Sequence, residues 1–390
     1  MKKILLVTRN FPPLNGGMEN LNYHIYQELS QTFEMLIVGP MGSQEYLKPN
    51  TLCSQFPQKP LHFFLWFSFW KTLKMCVKEK PDLIISGSGA TGLTSRIIGY
   101  LCKIQVVTYL HGLDLVVPNM LYQILFLPAI RKCDALWVNS QNTARLAINK
   151  GIDPKKITVL YPGVALPQPV SKSFNPDQFK TVLGLDTNSI ILLSVGRLTN
   201  RKGLVEFIQY SLTNIINTEP RVVFVIIGDE PNNALHHKLG EKQKILQSIQ
   251  DHNLADHVVL LGHVSESQLK QAYLSSHLHV FPGLDLPGDV EGFGMVAIEA
   301  AAHGLPTVAF AVGGIPESVN HNTSGWLIKS GDYAAMTQTI LNSISDTDSL
   351  HKKVTADTCL HHAQDFSWII FGQKIKYLCN EILTKQGFSS

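Results

Sequence analysis

Glu291-Gly292-Phe293-Gly294-Met295-Val296-Ala297-Ile298-Glu299 sets one carboxylate before a glycine-flanked turn and a second about one turn into a helix. The run before it, Leu278-His279-Val280-Phe281-Pro282, predicts a strand entering a loop. Met295 to His303, closed by Gly304 and Pro306, predicts the helix. The backbone N–H groups of Gly294, Met295 and Val296 then lack intrahelical acceptors, and with the helix dipole they make an anion site. A phosphate held there lies between two carboxylates able to accept from sugar hydroxyls. That chemistry suits a nucleotide diphosphate sugar. The spacing alone also fits an ordinary strand-loop-helix with a surface Glu and a capping Glu.

Outward from this stretch, apolar runs alternate with helical segments. Before it lie Ile190–Gly196, Arg221–Gly228 and His257–Leu261; after it come Thr307–Phe310 and Trp326–Ile328. The first half repeats the pattern at Lys3–Thr8, Glu34–Gly39, Asp82–Ser86, Gln105–Leu110, Ala135–Asn139 and Ile157–Leu160. Such runs between helices predict parallel sheets covered on both faces. Pro162, Pro167, Pro169 and Pro176 punctuate a polar stretch without periodicity, which reads as a linker. The expectation is an α/β chain of two Rossmann-like domains, residues 1–165 and 176–365, facing across a cleft that holds the ligand.

Composition is that of a globular protein, with 45% hydrophobic and 16% charged residues over 390 positions. The six cysteines have neither metal-type nor C-x-x-C spacing, which fits a reducing compartment and a cytoplasmic location. Ile4 to Thr8 is too short for a signal peptide core and is ended by Arg9-Asn10. Residues 1–165 carry 17 Lys and Arg against 9 Asp and Glu; the rest carries 16 against 21. A basic N-terminal half faces an anionic acceptor or acidic lipid, and no Arg-rich helix or RNA-type aromatic motif points to nucleic acid. Leu61 to Trp70 is aromatic and apolar, and Lys71, Lys74, Lys78 and Lys80 follow. It is too short to span a bilayer, but residues 61–80 fit a helix lying peripherally on the inner face of the plasma membrane. A buried core helix fits equally well.

Four further motifs sit at predicted C-terminal ends of strands. Ser194-Val195-Gly196-Arg197 is followed by Leu198-Thr199-Asn200-Arg201-Lys202-Gly203, where two cations can stabilise charge on a departing diphosphate without metal. Pro12 to Glu19 contains Gly16 and Gly17, which let the backbone approach a ligand. His111-Gly112-Leu113-Asp114 follows the strand Gln105–Leu110. Gly87-Ser88-Gly89-Ala90-Thr91-Gly92 is a formal G-x-G-x-x-G with Asp114 further on, so an NAD-dependent dehydrogenase using Gly87, Gly89 and Gly92 is an alternative. It follows the third predicted strand rather than the first.

The E-x7-E element and the G-R-x4-K-G pattern of Gly196, Arg197, Lys202 and Gly203 resemble the retaining GT-B glycosyltransferases of family four, the glycosyl transferases of group 1. Gly313-Gly314-Ile315-Pro316-Glu317 matches that family's G-G-x-P-E loop, and Ile227-Gly228-Asp229-Glu230-Pro231 falls near its nucleobase site. The resemblance implies a GT-B fold whose last helix, about 366–390, crosses back onto the first domain. It implies transfer of a hexosyl group, with retention and without metal or other cofactor, from a nucleotide diphosphate sugar to a glycan or lipid-linked acceptor, as in envelope polysaccharide or lipopolysaccharide synthesis. It casts His111, Arg197, Lys202 and Glu291 as catalytic. Donor binding falls to Gly16, Gly17, Arg197, Lys202, Glu291, Phe293, Gly294, Met295, Val296 and Glu299, with Glu291 on the transferred sugar and Glu299 on the ribose. A GT-B sugar-nucleotide epimerase and an inactive sugar-nucleotide-binding protein are the other readings of these residues.

Overall fold

The computed structural model describes residues 1–57, 61–167, 175–230, 240–345 and 353–387. Pro169 of the proline-punctuated stretch, Pro231 and residues 388–390 of the last helix lie outside them. The chain forms two compact units: Met1–Gly163 with Gly288–Phe293 and the stretch from Trp368 onward, and Val164–Pro287 with Gly294–Ser367.

The first unit holds β1 (Lys3–Val7), β2 (Glu34–Pro40), β3 (Leu52–Phe56), β4 (Leu83–Ser86), β5 (Gln105–Leu110), β6 (Ala135–Val138) and β7 (Ile157–Val159). They form one parallel sheet in the order β3-β2-β1-β4-β5-β6-β7. Central strands such as β1 are apolar over their buried length, here Ile4–Val7, because both faces are covered. β3 is the strand that the apolar pattern misses. It is an edge strand, so Cys53-Ser54-Gln55 suffices where a central strand needs an apolar run. The connecting helices are α1 (Gly17–Leu29), α2 (Leu61–Glu79), α3 (Gly89–Cys102), α4 (Leu113–Val116), α5 (Met120–Arg131) and α6 (Gln141–Asn149). Phe64 and Cys76 of α2, Ile98 of α3, Phe126 and Ile130 of α5 and Ala147 of α6 share one core with Leu5, Val7, Ile84 and Val106.

The second unit holds β8 (Ile190–Val195), β9 (Val222–Ile227), β10 (Val258–Gly262), β11 (Leu278–Phe281), β12 (Thr307–Phe310) and β13 (Gly325–Ile328), parallel in the order β10-β9-β8-β11-β12-β13. Its helices are α7 (Pro176–Val182), α8 (Leu204–Phe207), α9 (Thr213–Thr218), α10 (Glu241–Asp251), α11 (Glu266–Ser275), α12 (Met295–Ala302), α13 (Ile315–Ser318), α14 (Tyr333–Ile344) and α15 (Ala356–Gln364). α11 starts at a capping box in which Ser265 and Gln268 each accept the other's backbone N–H. α12 is alanine-rich, so it is a good helix former and packs its buried Ala297, Ala300 and Ala301 closely. It stops at Gly304, whose φ of 74° is left-handed.

The final helix, α16 (Trp368–Gly387), belongs to the first unit. It lies on α1: the Trp368 ring stacks on His24 at 3.7 Å and 11°, and Lys376 Nζ is 3.0 Å from Glu28 Oε2. In both sheets the strand order reverses once, between β1 and β4 and between β8 and β11. At such a switch point the connections leave toward opposite sides and open a crevice at the carboxyl ends of the strands.

Candidate active site

In the second unit the crevice lies between the loop after β8 and the loop after β11. The β8 loop is held by backbone bonds from Gly196 N to Ile227 O (2.9 Å) and Leu198 N to Asp229 O (3.0 Å). Leu284 N donates to Arg201 O at 2.8 Å, which ties it to the β11 loop. Gly203 adopts φ 66° with its α-carbon against the Pro282 carbonyl, so no side chain fits there. These constraints fix Lys202, the last residue of a short 3-10 turn. Its ammonium lies 4.3 Å from the centroid of the Phe281 ring, a cation–π contact. Arg197 is exposed and forms no ion pair among the described residues. Arg201, the third cation of this turn, is buried and therefore belongs to the framework.

Phe281 also borders the helix end opposite. A β-carbon on Gly294 would lie 3.3 Å from the Phe281 ring and 2.8 Å from Ser318 Oγ, and Gly294 has φ 90°. Glycine thus brings the first turn of α12 against the ring that carries Lys202. The Met295 and Val296 N–H groups open this turn without intrahelical acceptors. Glu299 lies one turn further on, half-buried, and accepts from Tyr273 Oη at 3.2 Å. Burial raises its pKa above the usual carboxylate value; Tyr273 and the Lys202 charge oppose this. Tyr273 is itself fixed by stacking on His303 at 4.9 Å, and His303 Nδ1 bonds Glu299 O at 2.8 Å. His279 in β11 is fully buried with Nδ1 3.1 Å from Thr307 Oγ1, and burial together with Lys202 pushes its pKa down to about 3.

Glu291 behaves differently from Glu299. Its segment, Gly288–Phe293, packs within the first unit. Gly292 presses on the His111 carbonyl, with a β-carbon position 2.6 Å from Asn139 Nδ2, so only glycine fits. Asn139 Nδ2 also donates to His111 O at 3.3 Å, and the Phe293 ring sits 5.5 Å from that of Tyr161. The backbone on the C-terminal side of Glu291 is therefore seated on the His111–Gly112 turn at the end of β5. The imidazole of His111 is oriented by Nε2 contact with Gly87 O at 2.9 Å.

Gly16 and Gly17 end the β1 loop and open α1, next to the switch point of the first sheet. The Gly87–Gly92 stretch follows β4 on the other side of it and is not a loop, since α3 already begins at Gly89. Here the dinucleotide alternative fails. Asp114, the acid it needs for a ribose, is occupied as a cap, accepting from Gly89 N at 3.1 Å and His111 N at 2.8 Å. Gly87 O is taken by His111 and by Asn22 Nδ2.

Sequence reasoning missed Tyr273, Phe281, His279 and Asn139. Each is an ordinary core residue by pattern, and only the three-dimensional neighbours give it a role. Phe281 was within reach, because it ends the strand that feeds the E-x7-E loop.

Comparison with known proteins gives the family and the fold. The model of the glycosyl transferases group 1 matches residues 176–356, and that of glycosyltransferase family 4 matches residues 15–167. A D-inositol 3-phosphate glycosyltransferase of Streptomyces scabiei is 29% identical over 61% of this chain and 52% of its own length. The chain thus spans about half the length of the curated relatives it matches first. An uncharacterized glycosyltransferase of Methanocaldococcus jannaschii is 25% identical over 83% of this chain and 84% of its own. The crystal structure of Anabaena HepE in complex with UDP-glucose superposes with a TM-score of 0.81, at 21% identity, covering 98% of this chain and 100% of that one. Two parallel α/β sheets and a family model over each half make this chain a member of the group 1, family 4 glycosyltransferases of GT-B fold.

Proposed function

We propose that the protein transfers a hexosyl residue from a nucleotide diphosphate sugar to a glycan or lipid-linked acceptor, with retention, in the assembly of envelope polysaccharide or lipopolysaccharide. One observation carries the reading: Lys202 and the first turn of α12 flank a single aromatic ring, Phe281, with Glu299 one turn behind. A cation and a helix end around one point suit a diphosphate, and the adjacent carboxylate suits the ribose hydroxyls. The UDP-glucose held by Anabaena HepE supports this class of donor.

In this reading Arg197 and Lys202 stabilise the charge that builds on the departing diphosphate without a metal ion. Gly16 and Gly17 admit the donor to the first unit, and Phe293, Gly294, Met295 and Val296 line its phosphates and sugar. Glu291 and His111 orient the transferred hexose, a reading supported by the seat of Gly292 on the His111 carbonyl. The bond from the anomeric carbon to the diphosphate oxygen breaks as the acceptor hydroxyl bonds to that carbon from the same face. The hydroxyl proton passes to the departing phosphate oxygen.

The acceptor side rests on α2. Its inward positions include the small polar Ser68 and Thr72, both fully buried, while Phe63, Trp66, Phe67 and Trp70 point outward. Phe69, also in the aromatic run, packs partly on the core. Among the described residues no helix is long and apolar enough to cross a membrane. We assign the outward aromatic stripe, with Lys71, Lys74 and Lys78, to peripheral contact with the cytoplasmic membrane surface, where a lipid-linked acceptor resides.

A thermal-shift screen against UDP, GDP, ADP and their sugars tests the donor assignment, since a ligand of the native state raises its melting temperature. One nucleotide family is expected to stabilise the protein, and its sugar should turn over only when an acceptor extract is added. Conversion of the donor to its epimer without acceptor, or no stabilisation by any nucleotide, would overturn the proposal.

A further inference from the structure

The outward apolar side chains of α2 recur on the helices beside it. α3 packs between α2 and α5. On its inner side α3 places Thr91, Gly92, Thr94, Ser95, Ile98 and Gly99, while Ile97, Tyr100 and Leu101 stand exposed, Tyr100 by 73%. On α5 the exposed residues are Met120, Leu121, Ile124 and Leu125, Met120 by 80%. Three neighbouring helices thus carry large apolar side chains on their solvent side as well as on their core side. The outer face of a water-facing helix is polar, and a contiguous apolar patch marks an interaction surface.

Charge says what covers it. The three helices contain Lys71, Lys74, Lys78, Arg96 and Arg131 but one carboxylate, Glu79, and that one is 3.2 Å from Lys3 Nζ. An open groove of about 600 Å³ runs between α3 and α5, walled by Ile97, Tyr100, Leu101, Leu125 and Pro128, with Arg96 and Lys132 also lining it. The Arg96 guanidinium lies over the Tyr100 ring at 5.9 Å. Apolar walls with cations lining the same depression match an anionic lipid, with chain carbons on the walls and a phosphate on the cations.

We infer that α2, α3 and α5 together form one docking face for an anionic phospholipid bilayer, and that the α3/α5 groove seats a lipid of that bilayer with its phosphate held by Arg96 and Lys132. This rests on the peripheral-membrane reading of α2 and extends it to two further helices and a lipid seat. The extension fixes the face by which the first unit meets the membrane, because three side-by-side helices span a surface where one defines only a line.

The test is co-sedimentation of the full chain with vesicles of phosphatidylcholine alone or with about a third phosphatidylglycerol. Three variants are compared: Trp66→Ser/Trp70→Ser on α2, Tyr100→Ser/Leu101→Ser/Leu125→Ser in the groove, and Arg96→Glu/Lys132→Glu at its cations. The wild type should bind anionic vesicles and release them in high salt. Each variant should lose about tenfold or more in partition, with the thermal melt unchanged. Charge reversal should abolish the preference for anionic over neutral vesicles. If the α2 variant loses binding while both groove variants bind as the wild type does, the three-helix face is wrong and the α2 reading survives. If the wild type ignores anionic vesicles, both fall.

Discussion

Replacement of Glu299 by Gln separates the two things that this carboxylate does. In the folded protein Glu299 is partly buried beside Tyr273, and burial raises its pKa above the ordinary value despite the Tyr273 hydrogen bond and the Lys202 charge. A carboxyl group with a raised folded pKa holds its proton to higher pH than the unfolded chain does. Its contribution is therefore greatest below the unfolded value, and stability falls as pH rises through the folded pKa. At neutral pH, above the unfolded value, the buried carboxyl is a net cost to the empty protein, so Glu299→Gln should melt higher than the wild type there and equally near pH ~4. Binding should move the other way. A hydrogen bond to a charged acceptor contributes about 1.5–3 kcal/mol and a neutral one about 1, so ribose recognition should weaken by about 0.5–2 kcal/mol. That corresponds to roughly 2- to 30-fold in Kd for the nucleoside diphosphate that the thermal-shift screen selects. Thermal melts across the pH range, with calorimetric titration of that nucleotide, read both effects. A variant that melts lower at neutral pH refutes the burial cost at Glu299, and one that binds as tightly as the wild type refutes its assignment to a ribose.

Lys202→Met keeps the contact with Phe281 but removes the charge, and should weaken a nucleoside diphosphate by about 1.5–3 kcal/mol while leaving the nucleoside unaffected; parallel titrations of the two decide. Glu291→Ala should cut kcat by about 100-fold or more with little change in nucleotide affinity, because the residue is assigned to the transferred sugar; equal turnover in a donor-consumption assay would remove it from the site. His24 has its pKa pushed down to about 4 by burial where it stacks on Trp368. The docking of α16 should hold above the unfolded value near 6.5 and weaken as pH falls toward 4, by roughly 1–2 kcal/mol once partial solvent access is allowed for. His24→Phe should flatten that slope in acid melts, and an unchanged slope would show that another group titrates.

Twelve of the thirteen strands are legible in the sequence because each is a mostly apolar run, as Ile4–Val7 of β1 and the whole of β9 are where both faces are buried. β3 is not, since an edge strand tolerates Ser54 and Gln55. The second unit's crevice is legible for a similar reason. Its parts are backbone features, the Gly203 turn and the Gly294 helix start, and glycine marks such places in any sequence. The first unit's contribution is harder to read. Glu291 lies 180 residues after His111, and what seats its loop on the His111 turn is the missing side chain of Gly292. Nothing periodic announces that contact. Tyr273 is hidden in the same way: its spacing on α11 is that of a core residue, and only the turn of α12 opposite gives its hydroxyl a partner.

The central claim is that the second unit grips a diphosphate at the turn after β8 and the start of α12. A crystal structure with the selected nucleoside diphosphate bound tests it most directly. The account predicts phosphate oxygens within hydrogen-bond reach of Arg197, Lys202 and the Met295 and Val296 N–H groups, with the ribose hydroxyls on Glu299. Phosphates lodged instead at Gly87–Gly92, or Arg197 and Lys202 turned away from the nucleotide, would contradict it.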